Sequence, residues 1–562
     1  MKKFTKRIMA LLLIFAMAMS TAILVPETAS AATPKSKTKS ATLKVTSTKI
    51  SGFKKIEGTI KVGKYVVAYG KNSKKQNVYS YSSDGKKFSK AKALGLSGEV
   101  NYQAAGKYLY VVAKSNSATT YYKCTSSPSK LGSASKQKIS ISLPSGFTPS
   151  ETYIDVWGYT NDKTGNIQSS ASSYGTVETE YGSNYCSYAY SVVLTPKGAK
   201  IVNLTDKAKA LLKSDDVSVN SYMDISWGSS SYRACTDVSD SKTGKSYVMI
   251  TSNGTSFSLT PAIPNSDKAS YNTEWVGGKI MAYRTYAYES NGNHKYTMDS
   301  DSSNHGKYYL YNTSTKKWET KTTGKYKSST GFSCSYSGDV SSYYYNTNSD
   351  KDYITCNAIS GNKIKTIISS NGTSWSALPT LTRNSTKYTL RDIEYAKAPT
   401  GTYAVETYQK SASDYANQYI VISKKVKDKW KKIKTMNVKR SDSTFDYVQL
   451  HSKIPVVLYN NGKKTTGYNL KTGKSYILPF NYNYNSVMSG DSLTYYSGSK
   501  LYRTTDGFKT FTKITLKSGS STIKSKITET SIHSISKDKV YAYIICGNKM
   551  YYTTTKKILS AK

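Results

Sequence analysis

The sequence of 562 residues carries 80 Lys and Arg against 35 Asp and Glu, a formal charge of +45, and 52 tyrosines. That length holds several ordinary domains or one large all-β ring, and such a Lys excess favours polyanionic neighbours or reflects an evenly solvated strand surface. No Lys/Arg block is dense enough for a nucleic-acid groove, and six cysteines without a C-x-x-C spacing argue against a zinc ribbon or a thioredoxin-type centre.

The first 31 residues have the layout of a secretory signal. Lys2, Lys3, Lys6 and Arg7 precede an apolar run from Ile8 to Ala22, and Ala29, Ser30 and Ala31 form a small-residue cleavage site. The expected product is secreted and extracellular, free or associated with the cell wall, with no integral membrane segment once the signal is removed. The signal holds four cations and Glu27, so its loss leaves 45 − 3 = +42. Residues 32–49 are a basic Ser/Thr/Lys-rich segment. Within it "ATLKVTS", from Ala41, is placed like the outer strand of a sheet whose other strands come last in the chain. Such a strand would close a ring and cover a sheet edge.

From residue 50 to 562 the chain alternates β-branched residues and Tyr with polar ones, broken by Gly, Asn, Asp and Ser. About ten units recur, roughly 50 residues apart, each with about four strands, the size of one propeller blade. Second strands read "KYVVAYG" from Lys64, "TYIDVWGYT" from Thr152, "KIMAYRTYAY" from Lys279 and "KVYAYIICG" from Lys539, with six similar segments between them. The expected fold is an all-β β-propeller of about ten four-stranded blades, with fewer, larger blades or two smaller propellers as the alternative. One helix is expected, with Thr205 capping "DKAKALL" and Ala208, Leu211 and Leu212 on one face.

Four turns share one pattern: "SSDGKKF" from Ser82, "TSNGTSF" from Thr251, "SSNGTSW" from Ser369 and "TTDGFKTF" from Thr504. They resemble the Asp-box, or BNR repeat, of the sialidase-like propellers, S-x-D-x-G-x-T-W. The fourth keeps that spacing, with Phe508 where the family has Gly, and the other three are one residue shorter. Segments ending at Trp318 and Trp430 look like degenerate copies. The resemblance implies that these turns join third to fourth strands on the face away from any ligand. Asp84, Asn253, Asn371 and Asp506 would then be scaffold.

Candidate binding residues fall on two long segments assigned to second-to-third loops, 160–185 and 288–306, where a rigid scaffold presents its variable surface. Both are acidic or neutral in a basic protein, with Asp162, Glu178 and Glu180 in the first and Glu289, Asp299 and Asp301 in the second. Tyr174, Tyr181, Tyr185, Tyr288 and Tyr296 supply rings, and Trp227 and Trp275 are placed on inner strands near the channel. Relatives with sialidase activity carry Arg-Ile-Pro and an arginine triad. Here Arg233, Arg284, Arg383, Arg391, Arg440 and Arg503 all lack a following Ile-Pro. Two-carboxylate chemistry would draw on Asp155, Asp224, Glu274, Asp392 and Glu394.

His294, His305, His451 and His533 have no metal-ligand spacing, and "DSDSSNHG" from Asp299 lacks the later bidentate acid of a calcium loop. No metal or cofactor is expected. Cys334 and Cys356 are close enough in sequence for a disulfide. The expected function is a monomeric, non-catalytic binding or adhesion protein of a bacterial surface. Its partner would be a glycan, an anionic wall polymer or a surface protein, with no nucleic acid. A glycoside hydrolase of the sialidase-like superfamily is the alternative.

Overall fold

A computed structural model describes residues 33–561 except 181, 222, 227–232, 269–270, 285–306, 327–332, 335–340, 347–353, 361, 385–387, 399, 410–416, 440–448, 451–455, 461–463, 481–485, 490–491 and 537–538. Ten antiparallel sheets follow one another along the chain. Blades 1 to 5 occupy 55–93, 100–140, 147–203, 217–259 and 271–322; blades 6 to 10 occupy 333–382, 389–439, 449–477, 486–518 and 529–554. In blades 1 to 9 the strands run in chain order from the centre outwards, and in blade 10 three do, its outermost place being taken by a strand from the N-terminal segment. First strands of neighbouring blades meet at the centre, as where the Thr59 hydroxyl lies 2.8 Å from His533 Nε2. The architecture is a ten-bladed β-propeller.

Ring formation follows from two-sided burial of the strands. Successive side chains of a strand point to opposite faces, and here each face meets a neighbouring blade. In blade 1, Val66 and Ala68 pack with Tyr541, Tyr543 and Ile545 of blade 10. Val67, between them, packs with Leu109 and Val111 of blade 2. This explains why the second strands read as unbroken apolar runs rather than as alternating ones. Among the described residues ten such apolar clusters occur, each shared by two consecutive blades, and one of them joins blade 10 back to blade 1.

The N-terminal segment closes the ring in more pieces than a single outer strand. The Ser36 amide donates to Ile477 O of blade 8 at 2.9 Å. Lys37–Lys44 then pairs in parallel with 510–517 of blade 9, and Thr46–Ser47 pairs antiparallel with Tyr551 and Tyr552 of blade 10. The Ala91 amide of blade 1 donates to Ser51 O at 3.0 Å. "ATLKVTS" is therefore divided between two blades, and the strap crosses the outside of four. On the inner side, Ser341–Asn346 adds a parallel strand to blade 7, against Thr389–Ala398.

Three expectations are corrected. "TYIDVWGYT" belongs to the first strand of blade 3, which is split into Phe147–Ile154 and Tyr159–Asn161, both paired with Asn166–Thr179. The helix spans Leu204–Leu212 and is capped by Asn203, whose Oδ1 accepts the Asp206 amide at 3.1 Å. Thr205 is buried instead, because its hydroxyl accepts the Ala189 amide at 3.0 Å. Leu211 lies off the packed face, 43% exposed. A short helix, Thr555–Leu559, ends the chain's described part, held by Arg503 Nη1 on Ile558 O at 2.6 Å.

All four motif turns join third to fourth strands. Asp84 Oδ1 accepts the amides of Lys86 and Lys87 at 2.8 and 2.9 Å and the Ser82 hydroxyl at 2.8 Å. Asn253 and Asn371 repeat this with their amide oxygens, each taking two backbone amides at 2.9 and 2.8 Å. Asp506 takes the Thr510 amide at 2.9 Å across its longer turn, which puts Phe508 at φ +77°.

Each turn also docks on the preceding blade through its glycine carbonyl. The Tyr543, Ser191 and Tyr308 hydroxyls donate to Gly85, Gly254 and Gly372 at 2.9, 2.6 and 2.7 Å, and Asn469 Nδ2 to Gly507 at 3.2 Å. Trp318 and Trp430 dock similarly, their indoles donating to Pro261 O and Pro379 O at 2.8 and 2.6 Å.

Burial opposes ionisation of Asp84, but the Lys87 and Lys86 amides, the Ser82 hydroxyl and the Lys86 charge outweigh it and hold the carboxyl below its usual range. A depressed folded pKa stabilises above the unfolded value of about 4 and loses that contribution as pH falls through the folded one. Asp84→Ala is expected to cost about 1 kcal/mol in urea denaturation at neutral pH. Asp84→Asn, which keeps the acceptor as Asn253 does, should cost little and flatten the stability profile below about pH 4. Equal losses for both variants would refute this account of the turn.

Cys356 is disulfide-bonded and lies directly opposite Cys334 in the ladder of blade 6, while Cys124, Cys186, Cys235 and Cys546 are thiols. Alkylation of the denatured chain should therefore modify four cysteines before reduction and all six after it.

Candidate functional site

Blade 3 departs from the others. Its second and third strands, Asn166–Thr179 and Gly182–Thr195, have 14 residues each, whereas its fourth covers only 190–195 of the third. The hairpin end thus extends past the fourth strand by about eight residues, roughly 25 Å, while the first strand follows it as far as Val177. This corrects the reading of 160–185 as one long loop. Residues 161–166 are a tight turn between first and second strands, and the rest is ladder. The sequence there, "SSASSYGTVET", lacks the apolar runs of the other strands, so its pairing is carried by main-chain bonds and by contacts such as Thr152 to Ser173 hydroxyl at 2.8 Å.

Where the first strand of blade 3 is interrupted, residues 155–158 form a bulge clamped from both sides. Asp155 Oδ1 accepts the Trp157 amide at 2.8 Å, and the Ser169 hydroxyl donates to Asp155 O at 2.6 Å. From blade 2, Asn101 Nδ2 donates to Val156 O at 2.7 Å and Gln103 Nε2 to Gly158 O at 3.0 Å. With its backbone fixed this way, Trp157 stands 65% exposed, beside Tyr153 at 42%. Large exposed rings on a clamped backbone are unusual surface features and mark contact sites.

A cavity of about 410 Å³ wraps this inner edge, with Glu99 and Lys114 of blade 2 on one side and Ser221 of blade 4 on the other. Tyr153, Asp155 and Trp157 form its wall, with Ser170 and Ser172 behind. It opens beside the second-to-third turn of blade 2, on the face opposite the motif turns. Glu99 and Lys114 form an exposed ion pair at 3.4 Å, a contact of small energetic weight. Asp155 lies at the cavity surface, yet partial burial raises its carboxyl above the usual range, against the lowering effect of the Trp157 amide. The site therefore combines rings, hydroxyls and carboxylates in a volume suited to a small ligand.

Of the expected binding residues, Tyr174 reaches this site: it is half-buried, its hydroxyl 3.5 Å from Ser221 Oγ at the cavity rim. Glu178 lies near the hairpin tip, exposed and bonded to the Ser183 hydroxyl. Tyr185 is 69% exposed on the same hairpin. Trp275 is on the inner strand of blade 5, as expected, and packs against the core shared with blade 4. Trp227, Tyr181, Tyr288, Tyr296, Asp299 and Asp301 lie outside the described residues, as do the signal segment and 288–306 as a whole.

Among the candidate acids, Asp155 lines the cavity, while Glu274 accepts the Tyr283 hydroxyl at 3.0 Å. The side chains of Asp224, Asp392 and Glu394 are outside the description. Another acid, Glu406, is fully buried, taking the Tyr408 hydroxyl and Asn384 Nδ2, the latter at 2.7 Å, and belongs to the framework of blade 7. Glu99, Tyr153 and Trp157 were missed as a group. The available signal was the alternation E-x-Y-x-D-x-W from Glu151 to Trp157, acid and ring at every second residue of one strand. Among the described residues, no cluster of three or more His, Cys, Asp or Glu could hold a metal ion.

No family model matches the chain, and no curated protein matches it in sequence. Solved structures with a similar chain path include the Dos1 propeller, at 11% identity and TM-score 0.32, covering 81% of this chain and 93% of that one. A GH74 enzyme of Niastella koreensis matches at 11% identity and TM-score 0.21, over 91% and 92%. A post-proline cleaving enzyme from Rickettsia typhi matches at 10% and 0.30, over 66% of this chain and only 56% of its own. At such identities the likeness concerns the fold alone, and activity has to be argued from the site. Among the described residues no helix is long and apolar enough to cross a membrane.

A side chain at position 158 would disturb this arrangement, since a Cβ there would meet Ile167 Cγ2 at 2.4 Å and Gln168 O at 2.6 Å. Gly158→Ala should shift the bulge and destabilise by about 1–3 kcal/mol in urea denaturation. An unchanged midpoint would mean that the bulge is not clamped as described.

Proposed function

We propose that this protein is a secreted, non-catalytic binding propeller of a bacterial cell surface, of the sialidase-like Asp-box kind, that selects a glycan in the cavity beside blade 3. The observation that carries the reading is the pair of exposed rings, Trp157 and Tyr153, set against the Ser170 and Ser172 hydroxyls in one cavity. Aromatic faces pack on the apolar faces of sugar rings, and hydroxyl and carboxylate groups take the sugar hydroxyls. The Lys-rich remainder of the surface supports a second, less selective role, long-range attraction to anionic wall polymers.

The two roles separate experimentally. Retention of the mature protein on isolated walls should fall steeply between low salt and roughly molar salt, where the screening length drops to about 3 Å. Binding to a glycan array should be lost in Trp157→Ala while salt-sensitive wall retention and thermal stability persist. Array binding that survives this substitution refutes the cavity as the site, and salt-insensitive retention refutes the electrostatic role.

One observation favours a second reading, glycoside hydrolysis: two carboxylates, Glu99 and Asp155, line the same cavity, and the raised Asp155 carboxyl suits a general acid. Turnover of aryl glycosides that disappears in Asp155→Asn would establish it in place of the binding role.

A further inference from the structure

The blade that walls the cavity has the opposite charge to the protein as a whole, and the cavity lining itself holds Glu99 and Asp155 against Lys114. Residues 139–196 hold one cation, Lys163, and five acids, Glu151, Asp155, Asp162, Glu178 and Glu180, a formal −4 within a chain of +45. Glu151 and Tyr153 on the inner strand of blade 3, then Asp155 and Trp157 in the bulge that follows it, alternate acid and ring, and all four are exposed. The lysine of the cavity, Lys114, is paired with Glu99.

Elsewhere several half-buried tyrosines lie under the protein's own lysines. Lys136 Nζ sits 3.9 Å from the Tyr121 ring centroid, Lys92 5.4 Å from Tyr81 and Lys64 5.5 Å from Tyr65. Among the described residues, no lysine lies over Tyr153 or Trp157. The two exposed rings of the cavity are thus left open, and they line it together with Asp155. An aromatic face carries negative electrostatic potential and attracts a cation, more strongly where a carboxylate lies beside it. An anionic ligand would meet repulsion at the same place.

Resting on the glycan reading above, we propose that the ligand is a glycan with free, protonated amino groups, an oligomer of non-acetylated amino sugar. Asp155 takes the ammonium together with the Trp157 ring, Tyr153 packs on an adjacent sugar face, and the Ser170 and Ser172 hydroxyls meet the sugar hydroxyls. A Lys-rich peptide offers the same cation but not the ring faces and hydroxyls that this wall is built to meet. The division of labour is then electrostatic. The basic outer surface holds the protein near anionic polymer, and the acidic cavity admits the cationic sugar that such a surface would otherwise repel.

The test compares a glucosamine trisaccharide, its fully N-acetylated counterpart and an oligolysine of similar charge, each titrated calorimetrically into the full mature protein. The free-amine sugar should bind at least about tenfold more tightly than the N-acetylated one, which loses the ring–cation and carboxylate contacts. Asp155→Asn keeps the acceptor for the Trp157 amide and so preserves the bulge; it should weaken the free-amine sugar about tenfold without moving the unfolding midpoint. Trp157→Ala should abolish binding.

Equal binding of both sugars, lost in Trp157→Ala, overturns the cationic ligand and leaves the glycan site standing. Binding of neither sugar, or binding indifferent to both substitutions, overturns both readings. Preference for oligolysine over the free-amine sugar replaces the glycan by a basic polypeptide.

Discussion

The ring depends on sheets that have no solvent face. A four-stranded sheet buried on one side only would leave half of its Val, Ile and Tyr residues in water. Here each sheet hands those residues to the next blade, so that Val66 and Val67, adjacent in sequence, belong to different apolar clusters. No blade owns a core of its own, and a chain of such sheets is stable only if its ends meet. Ring closure is therefore a condition of stability rather than an ornament of the architecture. The strap at 34–54 meets that condition by bonding to blades 8, 9, 10 and 1 in succession. It also covers the outer edges of blades 9 and 10, which would otherwise present unpaired main-chain groups.

The same constraint explains the tyrosines. A wedge between two sheets must be large and apolar, yet the turns that reach across from the next blade carry unsatisfied carbonyls. Tyrosine fills the wedge with its ring and answers the carbonyl with its hydroxyl. Tyr543 on Gly85 and Tyr308 on Gly372 do this for two motif turns. Tyr110 does it for Gly165 at 2.7 Å, and Tyr122 for Thr195 O at 2.8 Å. The Asp or Asn of each motif turn works on the other side of that contact, fixing the turn so that its glycine carbonyl points at the donor.

A scaffold held this tightly can afford irregularity at one place. Blade 3 has a split inner strand, a bulge braced by blade 2, and a hairpin longer than its own fourth strand. The bulge leaves Trp157 exposed. Because Asn101 and Gln103 anchor it from the neighbouring blade, the exposed ring is held in place rather than left on a free loop. Pre-positioned rings lose little entropy when a ligand arrives. Asp155 beside them belongs to a blade that is acidic within a basic protein, and local charge of this kind bears on what binds in a cleft.

The third-to-fourth position of the four motif turns was implied by their resemblance to the Asp-box, and the sequence by itself determined the all-β class and the ten-unit count. These follow from local chemistry: apolar runs, Asx turns and their spacing are properties of short segments. It placed nine of the ten second strands, and it missed blade 3. There Ser, Ala and Tyr replace the apolar run, and a ladder built by main-chain bonds leaves no hydrophobic period to read. The strap was legible as a closing segment, but its division among several blades was not, since register with distant strands is set by where the ring brings them. Asp155 and Trp157 were visible as an acid and an unassigned indole two residues apart. Their meeting with Glu99, Ser170 and Ser221 in one cavity was decided only by the tertiary structure, because those residues come from three blades and touch only when the sheets are packed side by side.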